Sequence, residues 1–331
     1  MIKEAMYYEK LPNNKVRCLL CPIRCVLEDK KRGVCKLRKN IAGTLIAESY
    51  GNLVSIAMDP IEKKPLFHFY PASQILSVAF NGCNLGCIFC QNWAISQVEE
   101  RTTFVEPENL VQIAKKYDSL GICFTYTEPL MGYEYILDVG KLAKEENLKI
   151  VLVTNGYLNP EPLEHLLPYI DAMNIDLKSI RPEFYRRICK GKLEPVLEAI
   201  KISAKHCLVE LTNLIIPTLN DTEAELEQLT DFVASLGENV PLHFSRYYPS
   251  YKLDIPATPA STLKLAYQIG KKKLHYVYVG NIDIPGTSNT YCPACGELLV
   301  ERHFYHTVIK GIENGKCSRC SRKVDIVGVQ D

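Results

Sequence analysis

The sequence predicts an α/β protein in which parallel strands close part of a barrel, with a small cysteine-rich module on each side. Three observations predict it. From residue 75 onward, short apolar runs alternate with amphipathic stretches, the rhythm of βα units on a parallel sheet. The most polar and least ordinary residues of that region follow the ends of the apolar runs, where barrels of this kind carry their chemistry. Eleven of the fourteen cysteines fall into three groups: four near the N-terminus, three after the first of these strands and four near the C-terminus.

The elements follow in order. Leu45 to Ser49 and Leu53 to Met58 flank a Tyr50-Gly51-Asn52 turn, whose residues tolerate positive φ, and together they predict a hairpin. Ile75 to Phe80 reads as a strand ending at a cysteine-bearing loop. A helix over Asn109 to Tyr117 precedes a strand at Ile122 to Tyr126, and a helix over Met131 to Glu145 leads to a strand at Lys149 to Val153. Helix Pro162 to Tyr169 and strand Ala172 to Leu177 come next, then helix Glu194 to Lys205 and strand Leu208 to Ile216. Helix Glu223 to Ser235, strand Pro241 to Ser245, helix Thr262 to Lys271 and strand Tyr276 to Val279 complete the series. Such a series is too long for many small doubly wound folds and too short for a regular eightfold barrel, so a partial (βα)6 TIM-like barrel is expected. The expected division is 1–74 for an N-terminal cysteine-rich module and hairpin, 75–284 for the barrel, and 285–331 for a C-terminal module like a zinc ribbon.

Composition bounds the class. With 47% hydrophobic and 23% charged residues, the chain of 331 is an ordinary globular protein. Its formal net charge of +1 argues against nucleic acid or an anionic membrane as a global electrostatic partner. The first residues carry no apolar stretch of signal-peptide length, and no segment reaches the ~18 uninterrupted apolar residues of a membrane span. A cytoplasmic location is expected. Thiols stay reduced there, so clustered cysteines point to metals rather than disulfides. Cys123, Cys189 and Cys207 stand alone and read as ordinary packed residues.

The segment Asn81-Gly82-Cys83-Asn84-Leu85-Gly86-Cys87-Ile88-Phe89-Cys90 supplies three thiolates from one short loop, spaced C-x3-C-x2-C, with no fourth ligand close behind. Structural zinc closes with four protein ligands, and most iron–sulfur clusters use four cysteines. Three thiolates on Cys83, Cys87 and Cys90 therefore predict a [4Fe-4S] cluster with one iron open to a ligand that offers nitrogen and oxygen. The plain alternative is three buried cysteines gathered by chance. The two loop glycines and the preceding apolar strand disfavour it. This spacing resembles that of the radical S-adenosylmethionine (radical SAM) superfamily, in which the amino and carboxylate groups of SAM chelate the open iron.

Strand ends carry further candidates. Thr125-Tyr126-Thr127-Glu128-Pro129 resembles the superfamily's Gly-Gly-Glu-Pro element, whose acidic residue and backbone receive the SAM ammonium group. Glu128 is suited to accept from such a cation, although a glutamate in the first turn of a helix is favoured by the helix dipole anyway. The next strand ends in Val153-Thr154-Asn155-Gly156-Tyr157, and the following one in Asn174-Ile175-Asp176-Leu177-Lys178. Asp176 and Lys178 alternate with apolar neighbours and so share one face of the strand. There they suit a zwitterionic ligand, or an ion pair with each other.

Two outer cysteine sets remain. Cys292-x2-Cys295 and Cys317-x2-Cys320 form a zinc-ribbon or rubredoxin-like arrangement, in which two knuckles complete a tetrahedron. Structural zinc is the expected ion, and it would tether a polar module that lacks a large core. Cys18-x2-Cys21-x3-Cys25 with Cys35 is a second four-thiolate set. It reads first as zinc, with an auxiliary iron–sulfur cluster as the alternative that its spacing also fits. The basic residues around it read as a solvated face.

Taken together, the chain resembles the activating enzymes of glycyl-radical enzymes, such as pyruvate formate-lyase activating enzyme. It is more closely similar to the radical SAM enzyme of the AmmeMemoRadiSam system. The shared features run from Cys18 to Cys320 and include Pro65 to Pro71, Gly82 to Trp93, Asn174 to Lys178, Leu214 to Pro217, Asn220-Asp221, Pro241 to Tyr247 and Val277 to Asn281. The resemblance implies a partial barrel of the radical SAM type. It implies that Phe89 lies against the adenine ring, that Asp176 and Lys178 hold the methionyl end of SAM, and that His243 lies near the adenosine. Thr127, Glu128 and Asn155 fall on the remaining SAM-binding positions. Two departures stand out: Val153, where activating enzymes often have an aspartate, and Thr212, where an arginine commonly meets the SAM carboxylate.

The expected function is reductive cleavage of SAM to a 5′-deoxyadenosyl radical that removes hydrogen from a protein or peptide. The expected partners are a low-potential electron donor and the system's companion proteins, one of the Memo type. Activation of a glycyl-radical enzyme is the alternative. A non-catalytic iron–sulfur or zinc adaptor would leave Glu128, Asp176 and Lys178 unexplained. RNA modification lacks a visible stacking platform.

Overall fold

In the computed structural model, residues 2–329 are described. Met1, Gln330 and Asp331, at the ends of the expected flanking modules, lie outside the described residues. Apolar runs that bury both faces form the central strands, as a parallel sheet covered by helices requires. Beside a mostly half-exposed strand, β1 (Asn52–Pro60), they are β2 (Gln74–Phe80), β3 (Gly121–Phe124), β4 (Lys149–Thr154), β5 (Ala172–Asp176), β6 (Leu208–Ile215), β7 (Leu242–Arg246) and β8 (Val277–Gly280). Strands β2 to β8 lie side by side in chain order, all parallel. Six helices connect them: α1 (Pro107–Lys116), α2 (Tyr133–Glu145), α3 (Pro160–Leu166), α4 (Glu194–Ser203), α5 (Glu223–Leu236) and α6 (Ala260–Lys271). This is the expected (βα)6 partial barrel, with a seventh strand closing the series. Helix starts follow local chemistry: Pro107 and Pro160 open α1 and α3, and Thr222 caps α5 by accepting from the Glu225 amide.

The expected hairpin does not form. Asn52 N–H does donate to Ser49 O, so the chain turns there, but the two arms take other partners. Thr44–Ala47 pairs with Arg38–Ile41, and β1 runs antiparallel along β2 from Pro60↔Gln74 to Leu53↔Phe80. The apolar β2 gives β1 seven register partners, more than the five residues from Leu45 to Ser49 would supply. The pairing carries the sheet across the expected boundary at residue 74.

Side chains inside the barrel form layers. The floor is apolar: Ile75, Cys123, Val151 and Ala172 meet Ile61, Leu66 and Phe69 from the β1–β2 connection, which plugs the barrel from below. Above it, Asn174 donates to Pro65 O at 2.7 Å and Glu210 accepts from the His68 amide at 2.7 Å. The C-terminal module seals the same end. Arg302 donates to Phe67 O at 2.7 Å, and His68 Nδ1 meets Asp325 O at 2.6 Å. On the other side, Arg38 and Glu134 form an ion pair at 2.6 Å with both side chains 1% exposed, fastening the N-terminal module to α2. Among the described residues, no helix is long and apolar enough to cross a membrane.

Candidate active site

At the C-terminal ends of the strands lies a cavity of about 280 Å³ whose wall includes Cys83, Cys87 and Cys90. The loop that carries them leaves β2 through Gly82. Its φ is +82°, and a Cβ there would come 2.3 Å from Cys35 O, so only glycine fits. The loop is then pinned as a pseudo-strand: Gly86 N–H donates to Cys189 O at 2.9 Å and Ile88 N–H to Ile188 O at 3.2 Å.

The sulfurs are individually addressed. Cys83 Sγ faces the Leu85 amide at 3.4 Å and Asn155 Nδ2 at 3.5 Å, and Cys90 Sγ lies 3.2 Å from Ser96 Oγ. Burial pushes the Cys83 and Cys90 thiols up. Cys87 is drawn down, first by a hydrogen bond from Cys189 and also by the Lys178 charge. Cys189, fully buried, thus packs against the loop, its carbonyl receiving the Gly86 amide. No sequence signal marks it, because the contact depends on how the turn at 185–189 returns to the loop.

Asp176 and Lys178 do share a face at the cavity, and they pair with each other at 2.8 Å. Burial works against the Lys178 ammonium, yet Asp176 and Cys87 hold its pKa well above the ordinary lysine value. Its Nζ lies 5.9 Å from the centre of the Phe89 ring. Thr127, Asn155, Val153 and Thr212 also line the cavity.

Glu128 borders it too, but its carboxylate is 1% exposed and already engaged. One oxygen accepts from the Leu130 amide at 3.0 Å and Thr154 Oγ1 at 2.6 Å, the other from the Asn155 amide at 2.8 Å. Burial outweighs these donors and pushes its pKa up to about 7. Glu128 therefore braces the end of β4, and through Asn155 it positions a donor against Cys83. His243 does not line this cavity. A carboxylate on the adjacent strand claims it: Nε2 lies 2.6 Å from Glu210, with Phe67 packed edge-on at 4.8 Å. It borders instead a neighbouring cavity that shares Thr212 and Ser245.

The donor sets discriminate between metals. In the C-terminal module, Cys292 and Cys320 lie 3.6 Å apart, as do Cys295 and Cys317, and all four sulfurs fall within 4.8 Å of one another. A tetrahedron with Zn–S bonds of about 2.3 Å has edges of roughly 3.8 Å, so the four fit one such ion. Among the described residues no other three His, Cys, Asp or Glu ligand atoms converge so closely. Cys83, Cys87 and Cys90 do not converge to that spacing, and Cys83 and Cys90 each have a polar group turned toward the sulfur, an arrangement open to a polynuclear cluster.

Comparison with known proteins agrees. Residues 77–233 match the model of the radical SAM superfamily. An uncharacterized protein of Methanocaldococcus jannaschii is 47% identical over 335 residues, covering 98% of this chain and 100% of that protein. The pyruvate formate-lyase-activating enzyme of Clostridium pasteurianum is 28% identical over 168 residues, covering 48% of this chain and 69% of the enzyme. Among solved structures, a radical SAM methyltransferase from Sphaerobacter thermophilus shares the fold with a TM-score of 0.51 at 16% identity, covering 70% of this chain and 71% of that one.

Proposed function

The chain belongs to the radical SAM superfamily, and from that premise we propose that it removes a hydrogen atom from a protein or peptide substrate after reductive cleavage of SAM. The observation that carries this reading is the three-thiol loop opening into a cavity at the C-terminal ends of the strands. Cys83, Cys87 and Cys90 would hold a [4Fe-4S] cluster, which would supply the low-potential electron that reductive cleavage of SAM requires.

The chain's own residues do the rest. Asp176 and Lys178 face the zwitterionic end of SAM as a matched pair of opposite charges, and Phe89 offers an aromatic face beside them. Asn155 and the Leu85 amide direct N–H groups at Cys83, which stabilises its thiolate. Glu128 holds the end of β4 in place, so the donors stay aligned as ligands come and go.

A low-potential electron donor and companion proteins of the AmmeMemoRadiSam system, including one of the Memo type, are the partners we propose. The similarity to an activating enzyme favours a second reading, in which the hydrogen comes from a glycine of a glycyl-radical enzyme. Anaerobic incubation with SAM, reductant and cell extract, followed by mass spectrometry and electron paramagnetic resonance, separates the two. A glycine radical on a partner supports the second reading, and a stable modification of a different residue supports the first. Production of 5′-deoxyadenosine by a Cys87→Ala protein at the wild-type rate would overturn both.

A further inference from the structure

Four cysteines remain outside this chemistry. Cys18, Cys21, Cys25 and Cys35 surround one enclosed cavity, together with Arg38 and Asn84. The chain carries its own comparison, because the C-terminal cysteines converge to single-ion spacing and no three of these do. Instead they line one buried cavity at a wider spacing than the ligands of a single ion take up.

Two further features suit this void to a sulfide-bearing group. Arg38 is 1% exposed, and its two terminal nitrogens are engaged by Glu134 and Met6 O, but its Nε–H has no partner. An unpaired buried donor beside four thiols is costly unless a sulfur accepts from it. The cavity also backs directly onto the candidate active site. Asn84 lines it, follows Cys83 in the chain and accepts at 3.0 Å from the same Asn155 amide that points at Cys83 Sγ. Cys35 O packs against Gly82 on the other flank.

We propose that Cys18, Cys21, Cys25 and Cys35 hold a second iron–sulfur cluster, which passes single electrons through the Asn84 wall to the centre on the Cys83–Cys90 loop. One electron enters from a reduced, acidic iron–sulfur or flavin carrier protein and one leaves to that centre; no bond is made or broken. The exposed Arg24, Lys30 and Lys31 around the module suit such a carrier. The relay rests on the function proposed above; the site does not.

The test therefore begins with a protein lacking the active-site thiols. Anaerobically reconstituted Cys83→Ala/Cys87→Ala/Cys90→Ala protein is expected to retain iron and acid-labile sulfide, and a paramagnetic signal on reduction. Adding Cys18→Ser and Cys25→Ser should abolish both. Zinc without sulfide in the triple variant would overturn the site. Should that variant fail to fold, the same comparison is read as excess iron in wild type over Cys18→Ser/Cys25→Ser protein, and no excess would overturn it equally. For the relay, the Cys18→Ser/Cys25→Ser protein should be reduced at its remaining centre at least tenfold more slowly by a reduced carrier protein, with reduction by dithionite unchanged. Equal rates with the carrier would overturn the relay and leave the site standing.

Discussion

Replacing Glu128 by glutamine separates a brace from a ligand-binding group. The carboxylate receives three protein donors, so a glutamine keeps one acceptor oxygen and turns an NH2 toward either the Asn155 amide or the Leu130–Thr154 pair. Losing a hydrogen bond to that buried acceptor costs about 1.5–3 kcal/mol. The pH dependence provides the sharper test. The folded-state pKa of about 7 lies above the unfolded value near 4.5. Between these values the folded protein keeps a proton that the unfolded chain has released, so this group's contribution falls as pH rises through that window. Integrated, the fall is on the order of 3 kcal/mol, and it vanishes in Glu128→Gln. The variant should therefore be clearly less stable than wild type at pH 5, with the gap narrowing toward pH 8. Anaerobic urea denaturation across that range measures it. A gap that widens with pH would mean an ionised, unstrained carboxylate. Unchanged stability with SAM affinity reduced a hundredfold would mean that Glu128 serves the ligand and not the fold.

Two other outcomes are expected. Asp176→Asn and Lys178→Met should each weaken SAM binding by roughly ten- to a hundredfold with iron content nearly intact, as titration of SAM against reconstituted protein will read; unchanged affinity in both would mean that their 2.8 Å pair serves only itself. Cys292→Ala should abolish metal binding by the C-terminal cysteines, read as zinc content, and lower thermal stability while the SAM-dependent spectral change of the active-site centre persists, and loss of that change would show the two sites to be coupled.

The barrel was legible because its signal is periodic. Each strand is a short apolar run and each helix an amphipathic one, so the seven parallel strands and six helices lie close to their expected positions. The cysteine loop was legible because its ligands sit within eight positions of one another. What escaped depends on partners distant in sequence. The turn at Gly51 was visible, but β1 takes its seven register partners from β2, which lies beyond the turn in sequence. The bracing by Glu128 could not be read locally, because two of its three donors, the Thr154 hydroxyl and the Asn155 amide, sit at the end of another strand. His243 likewise answers to Glu210, which occupies a neighbouring strand in register with Asn174.

The seal beneath the barrel sets the order in which the protein can be made. His68 meets Asp325 across 257 positions, and Arg302 meets Phe67 across 235. Contacts of such separation form late, after their loop-closure entropy has been met. During synthesis, strands β2 to β8 leave the ribosome while the last piece of the floor is still untranslated. Until the C-terminal cysteines emerge and fold, the nascent barrel keeps Phe67, His68 and Tyr278 without their final cover. Folding of the C-terminal cysteine cluster, which could bind a metal, therefore sets the moment at which the floor of the barrel is completed.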